Sequence, residues 1–375
     1  MDHFGDNEPI RLPAQGSSSI RFRSGVRYME TQEYRPKGLL YHYTSADGLI
    51  GILKSGHIFA THIRYLNDSQ EMLDSLSHLE GFLEGFDPDV RPHLKRFLES
   101  SVRVFACGAG AYVVSFTDDA AALVGTEQLP GDRLNQWRAY SRPGKGFSLG
   151  FDPRVIDEPG KGEILEGIDL TAYLQNCIYD RPMKRWILGG AGGDLVEELQ
   201  GVLQDLVLSD MKRAMHRWHP TMSEEFFLSE VKGLMESREI PQELRGRLRD
   251  VRMRLMAAIS LNATTLKNEA FFEEKEWRIV VLGRHPVAEE PLSRGTWNVK
   301  FRDGALGLTP YIEFPLHLNT AHSPLRKIVA GPTAHMDDAV QAVKKLLDEL
   351  GIRQRSDDYP DGVEVVPSQI PFRYW

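Results

Sequence analysis

Residues 39–71, LLYHYTSADGLIGILKSGHIFATHIRYLNDSQE, constrain the fold more tightly than any other stretch of the chain. Leu39-Leu40-Tyr41-His42-Tyr43 is a short apolar and aromatic run, the pattern of a buried strand. Thr44 and Ser45 can cap a helix, Asp47 suits its first turn, and Leu49, Ile52 and Leu53 form its apolar stripe. Gly56 falls where a left-handed C-terminal cap is wanted, and Ile58-Phe59-Ala60 restarts an extended segment. His42 therefore lies near the end of a strand, aimed at whatever the helix start and the polar loop 65–71 enclose. An ionisable side chain on a rigid strand beside a polar loop is a common support for a functional site.

The rest of the chain bounds the class. At 375 residues it makes one large domain or two ordinary ones. A formal net charge of -8 argues against a broad electrostatic attraction to nucleic acid or anionic membrane, and leaves room only for a local basic groove. No run of about 18 apolar residues spans a membrane, and no apolar segment follows a charged start. Cys107 and Cys177 lack metal-type spacing, so a cytoplasmic protein with two reduced thiols is expected.

Residues 1–37 are polar and carry no sustained period, despite Arg21, Arg23 and Arg27 beside Ser17 to Ser19, and a flexible tail is expected there. Residues 69–86 and 89–101 read as surface helices split by Gly85 and Pro88. Strands are expected over 112–116, 147–151, 177–179, 277–282, 311–314, 327–330 and 363–366, with helices over 134–140 and 336–350. The glycine-rich turn 142–146 lacks the interval and Lys-Ser/Thr pair of a phosphate-binding loop. Leu195, Leu199, Val202 and Leu206 begin a helical insertion at about 194–266, so 38–375 reads as one domain carrying that insertion.

The strongest acidic cluster is Glu273-Glu274-Lys275-Glu276-Trp277-Arg278, directly before the apolar run 279–282. In strand geometry Glu274, Glu276 and Arg278 share one face. Glu is depleted in core strands, and broken local rules tend to mark functional sites. The bland reading is a solvated strand entrance with a Glu-Arg ladder. For His42 it is a satisfied core histidine, and for Tyr41, Tyr43, Tyr65 and Trp137 it is core filling. Asn67, Asp68 and Glu71 either line a pocket or cap a helix beginning near Ser69.

Several of these segments carry a resemblance. Tyr41-His42-Tyr43-Thr44, Gly48-Leu49, Ile52-Leu53, Ser55-Gly56 and Tyr65-Leu66-Asn67-Asp68 with Glu71 resemble a bacterial domain-of-unknown-function family, DUF2971. So do Val114-Ser115-Phe116-Thr117, Trp137 with Tyr140, Gly146-Phe147-Ser148-Leu149-Gly150-Phe151, and Glu274 to Arg278. The strand-helix opening with its His, and the late acidic strand, also resemble the ADP-ribosyltransferase superfamily, including the DNA-targeting toxins.

That resemblance implies an α+β fold: a split, mostly antiparallel sheet with flanking helices. It implies NAD as substrate, and Glu274 and Glu276 with His42 as the catalytic set. The second Glu of the pair would meet the nicotinamide ribose, where a carboxylate stabilises the positive charge that builds as the glycosidic bond breaks. His42 would donate to a ribose hydroxyl or a phosphate, and Tyr41, Tyr43, Tyr65 and Trp137 would be the candidates to stack on the cationic nicotinamide. Thr44 and Tyr140 join the cofactor-facing set. Ser115 and Thr117 resemble the Ser-x-Ser/Thr element of one transferase subclass, although that subclass begins with an Arg where this chain has His42. Arg64, Arg138 and Arg278 are candidates for the pyrophosphate.

The expected function is transfer of ADP-ribose from NAD to a macromolecular target, nucleic acid or protein, as a bacterial toxin or anti-phage defence effector with a neutralising partner protein. An NAD glycohydrolase and a non-catalytic nucleotide- or nucleic-acid-binding module are the alternatives. His42, His57 and His62 fit no zinc spacing, and no Gly-x-Ser-x-Gly elbow occurs, so neither a metal site nor a serine hydrolase is expected. The transferase site requires His42 and Glu276 to meet in one cleft between central strands. Side chains on opposite faces of the sheet, or more than about 15 Å apart with no cleft between them, would overturn the transferase reading built on that pair.

Overall fold

The structure, a computed structural model, describes residues 19–23, 26–30, 36, 38–66, 111–119, 128–141, 146–156, 170–180, 246, 264–283, 299–304, 307–320 and 323–371. The expected helices 69–86 and 89–101, the loop residues Asn67, Asp68 and Glu71, the turn residues 142–145 and nearly all of the insertion 194–266 lie outside the described residues. Within the expected tail, β1 (Ser19–Arg23) and β2 (Val26–Glu30) pair with each other as an antiparallel hairpin.

The opening unit folds as its sequence dictates. β3 (Leu40–Ser45) leads into α1 (Ala46–Ser55), where the Ser45 hydroxyl accepts the Gly48 N–H at 3.2 Å. Gly56, at a φ of 68°, closes the helix in the left-handed conformation that a Cβ disfavours. β4 (His57–His62) then runs back.

The remaining strands are β5 (Ala111–Thr117), β6 (Gly146–Phe151), β7 (Leu170–Asn176), β8 (Glu276–Gly283), β9 (Lys300–Gly304), β10 (Gly307–Pro315), β11 (Leu325–Ala330) and β12 (Glu364–Pro367). The helices are α2 (Leu134–Tyr140), the short α3 (Pro153–Ile156) and α4 (Met336–Glu349). With β3 and β4 these strands form one ten-stranded sheet, ordered β12-β11-β6-β3-β5-β4-β10-β9, with β8 and then β7 added beside β5. β11 and β12 run parallel, joined by α4, and the other strand pairs are antiparallel. The fold is thus mixed α/β, with a mostly antiparallel open sheet and few helices among the described residues.

β5 is the strand at which this sheet forks. β8 takes one edge along its whole length, from Ala111↔Leu282 to Thr117↔Glu276. The other edge is divided: Tyr112 and Val113 pair with β4, and Thr117 pairs with Tyr41 of β3. Two layers cover the sheet. Leu49, Ile52 and Leu53 of α1 and Val343 and Leu347 of α4 pack with Leu40, Phe116, Leu149, Trp277 and Ile279 on one face. Trp137 of α2 packs with Tyr41, Tyr43 and Val329 on the other.

One expected strand is displaced: the extended segment is 170–176, and 177–179 only adds the isolated bridge Ile178↔Leu266. β9 was not expected at all.

Candidate functional site

Strand parity decides which candidates can meet. Tyr41, Thr117 and Glu276 stand in register across β3, β5 and β8, so their side chains share a face. Ser115 and Arg278 are likewise registered, and Tyr43 lies two residues from Tyr41 on the same face. This is the α2 face, since Tyr43 meets Trp137 edge-on with ring centroids 4.8 Å apart. His42 alternates to the opposite, α1 face, where its ring packs against Phe116 at 6.0 Å. The expected meeting of His42 with Glu276 does not occur.

His42 has a structural task instead. Where β3 parts from β5 at the fork, the Ser115 carbonyl would lack a strand partner, and His42 Nδ1 lies 3.0 Å from it. A carbonyl only accepts, so Nδ1 carries the proton. Burial lowers the pKa of the ring against the raising effect of that bond, with the Arg302 cation lowering it further. Thr44 is also on the α1 face, where its Oγ1 would lie 2.0 Å from a Cβ placed on Gly48. Neither residue belongs with Glu276.

Arg64 and Tyr65 follow β4 in a 3-10 turn, Ile63–Tyr65, with Tyr65 edge-on to His62 at 5.7 Å. β4 meets β5 at Tyr112 and Val113, whereas Glu276 sits at Thr117. Five residues of strand separate Tyr112 from Thr117, roughly 17 Å at about 3.3 Å each. Both residues therefore lie away from the acidic pair.

The acidic pair sits where a 3-10 helix, Glu269–Glu274, turns through Lys275 into β8. Glu276 is 5 % exposed. Its Oε1 accepts Arg278 Nε at 2.8 Å, and its Oε2 accepts Lys267 Nζ at 2.5 Å and Arg278 Nη2 at 3.2 Å. Its N–H donates to the Tyr179 hydroxyl at 2.8 Å, and Arg278 Nη1 donates to the Thr264 carbonyl at 2.7 Å. Burial by itself raises the Glu276 pKa, but the Arg278 and Lys267 cations outweigh it and hold the carboxyl at about 2.

Glu274 is different. Its side chain is 17 % exposed, against 6 % for Glu276, and it touches Lys267 Nζ at 2.6 Å. The Tyr140 hydroxyl donates to its Oε1 at 3.3 Å, and Tyr140 is 43 % exposed. Burial pushes Lys267 down, while Glu276 and Glu274 more than restore it, so its ammonium stays charged.

The α2 face thus gathers Glu274, Glu276, Tyr43, Ser115, Thr117, Trp137, Tyr140 and Arg278. Trp137 is buried with Nε1 donating to Asp132 at 2.8 Å, and the Tyr43 hydroxyl donates to Asp119 at 2.7 Å, so neither ring presents an open face. Arg138 is exposed on α2. Sequence reasoning passed over Lys267, Asp119, Arg133 and Tyr179. Lys267 is placed by bonding between 264–267 and 177–179, where the Lys267 N–H donates to the Ile178 carbonyl at 3.0 Å. No local pattern carries a contact of that kind.

A family described as "Protein of unknown function (DUF2971)" matches residues 136–279. The chain is similar to that family over α2, β6, β7 and the Glu274 to Arg278 segment. No curated protein matches the chain, and no solved structure matches it. Among the described residues no helix is long and apolar enough to cross a membrane, which says nothing of a β-barrel.

Proposed function

We propose that the α2 face binds NAD and that the protein transfers its ADP-ribose to a macromolecule, nucleic acid or protein, with Glu274 as the carboxylate that meets the nicotinamide ribose. The observation that carries this reading is the rim formed by Glu274 and Tyr140. A carboxylate that stabilises an oxocarbenium-like centre must touch the sugar. Glu276, sealed between two cations, would have to break both ion pairs to do so, whereas Glu274 is more exposed, pairs with one cation and meets the hydroxyl of the exposed Tyr140. That ring is suited to a cationic nicotinamide. Glu276, Lys267 and Arg278 then act as the rigid base that aims Glu274. This site replaces the expected His42–Glu276 pair, which lies on opposite faces of the sheet, and uses none of His42, Thr44, Arg64 or Tyr65. The Glu-x-Glu motif at the entrance to β8 supports it.

A second reading has its own observation. A carboxylate pair neutralised by Lys267 and Arg278 is also what a purely structural cluster looks like, which favours a nucleotide- or nucleic-acid-binding module without chemistry. Incubation of the full chain with NAD labelled on its adenylate, following free nicotinamide and label kept on DNA, RNA or protein, separates the outcomes. Transfer predicts both signals, and Glu274→Gln lowers nicotinamide release by about a hundred- to a thousand-fold. His42→Ala leaves the NAD requirement within about threefold, because His42 lies on the other face. Nicotinamide without retained label identifies a glycohydrolase. Bound NAD without nicotinamide identifies a binding module, and neither binding nor release overturns the assignment of this face to NAD.

A further inference from the structure

Asp119 and Arg133 have no part in the site described so far, yet they are only 0 % and 9 % exposed. Asp119 lies just beyond β5, and its Oδ2 accepts the Tyr43 hydroxyl at 2.7 Å and the Gly131 N–H at 2.8 Å. Its Oδ1 faces Arg133 Nη1 at 3.6 Å, and neither of those two atoms has a hydrogen-bond partner. Arg133 reaches in two further directions. Its N–H donates to the Tyr43 hydroxyl at 3.1 Å, and its Nη2 donates to the Glu273 carbonyl at 2.7 Å.

The Glu273 carbonyl belongs to the last turn of the 3-10 helix, where carbonyls lack partners within the helix and cations are favourable. Glu274 is the next residue. Lys275 then takes the left-handed conformation, at a φ of 47°, which disfavours a residue carrying a Cβ. The Asp118 N–H holds the Lys275 carbonyl at 3.0 Å. The turn carrying Glu274 is therefore clamped from both sides by the segments around Asp118–Asp119 and Arg133.

We propose that Asp119 and Arg133 form an acid-sensitive latch that positions Glu274. With Asp119 ionised, the guanidinium is held between the carboxylate and the Glu273 carbonyl. Protonation of Asp119 removes its counter-charge and frees the turn 269–276. Arg133 and Asp119 are positioning residues, and this role rests on the reading of Glu274 given above. A buried ion pair whose facing atoms, Asp119 Oδ1 and Arg133 Nη1, share no hydrogen bond stands close to balance, because the desolvation of both charges opposes their attraction. The groups facing Asp119 are Tyr41 and Tyr43 from β3 and Arg133 from the segment before α2, and Lys275 faces Arg133 from the turn into β8. Burial lifts the Asp119 pKa to about 6, against the Tyr43 hydroxyl and Arg133, which pull it down.

Hydrogen–deuterium exchange on the full chain, with exchange rates corrected for pH, tests the latch without NAD. Wild-type protection of peptides covering 269–276 is expected to fall about tenfold between about pH 7.5 and about pH 5. Arg133→Gln and Asp119→Asn are expected to show the lower protection at both pH values. Tyr43→Phe keeps the switch and moves its midpoint upward, because the hydroxyl no longer favours the carboxylate. Nicotinamide release by the wild type should fall with the same midpoint, near the Asp119 pKa of about 6. If Asp119→Asn does not fold, Arg133→Gln and Tyr43→Phe carry the test. Protection unchanged in Arg133→Gln, or indifferent to pH in the wild type, overturns the latch. An intact exchange pattern with no NAD turnover keeps the latch and removes the NAD reading.

Discussion

Both oxygens of Glu276 are held by cations inside the sheet, and removing one partner of such a cluster leaves charge buried without compensation. Glu276→Gln is therefore expected to cost about 3–5 kcal/mol of stability, read by chemical denaturation, and to lose activity chiefly by unfolding. A variant with wild-type stability would show that the clamp carries little of the fold. The pH dependence has a definite sign. The Glu276 pKa is lowered to about 2 from 4.5, so its contribution is full above the unfolded value and is lost as pH falls through that window. Asp119, raised to about 6 from 3.8, works oppositely: folding disfavours its charge, so its contribution to stability improves as pH falls between those values. Against a folded state in which Arg133 has swung away and Asp119 stays buried, the guanidinium favours the charged carboxylate, so acidification near pH 6 loosens the turn locally without lowering global stability, and global acid unfolding waits for Glu276. At this scale the sequence exposed the shared face of Glu276 and Arg278, whereas Glu274, expected on the same strand face, ends a 3-10 helix before the strand begins. It could not show which Glu is sealed, because Lys267 arrives through the pairing of distant segments. His42 misled for a physical reason: an imidazole that satisfies a stranded carbonyl at a fork looks, in a list of residues, like one offered to a ligand.

The elements were most legible where backbone chemistry is local. In α1 the cap, the stripe Leu49, Ile52, Leu53 and the terminating Gly56 were all expected and all occur. Ser45→Ala is expected to destabilise by about 1 kcal/mol through the lost cap, and Gly56→Ala by about 1–2 kcal/mol through the left-handed backbone. Thermal melts of the two variants and their combination measure this. A Gly56→Ala protein as stable as the parent would show that the helix end shifts to avoid the strain. Gly48 lies inside the same helix, where a Cβ would come within 2.0 Å of Thr44 Oγ1, so close packing of β3 on α1 accounts for it. The strands β5, β6, β8 and β11 were legible because each is an apolar run buried against both layers. β9 was not, since Lys300–Gly304 reads KFRDG and sits at the sheet edge, where charge and exposure erase the alternating pattern. β7 was displaced because the apolar signal at 177–179 belongs to the bridge with Leu266 rather than to the ladder with β8.

At the scale of the whole molecule, the fork at β5 is the feature that organises the rest. One strand edge shared by β3 and β4 turns a mostly antiparallel sheet into two diverging parts, and both faces of the junction carry polar groups in an otherwise apolar core. No periodicity in the sequence encodes a fork, because it depends on which of two strands captures each half of a third. The ladder relations also separate the molecule from its N-terminal segment. The ten-stranded sheet begins at Leu40, and among the described strands β1 and β2 pair with each other and not with that sheet. A two-stranded hairpin standing alone adds little stability. Deleting residues 1–35 is therefore expected to leave the melting temperature within a few degrees, since a change of about 1 kcal/mol moves a large domain by about 2–4 °C. It should also leave the exchange protection of β3, β5 and β8 unchanged. A drop of ten degrees or more, or new exchange along β3, would mean that the segment before Leu40 covers the sheet and belongs to its core.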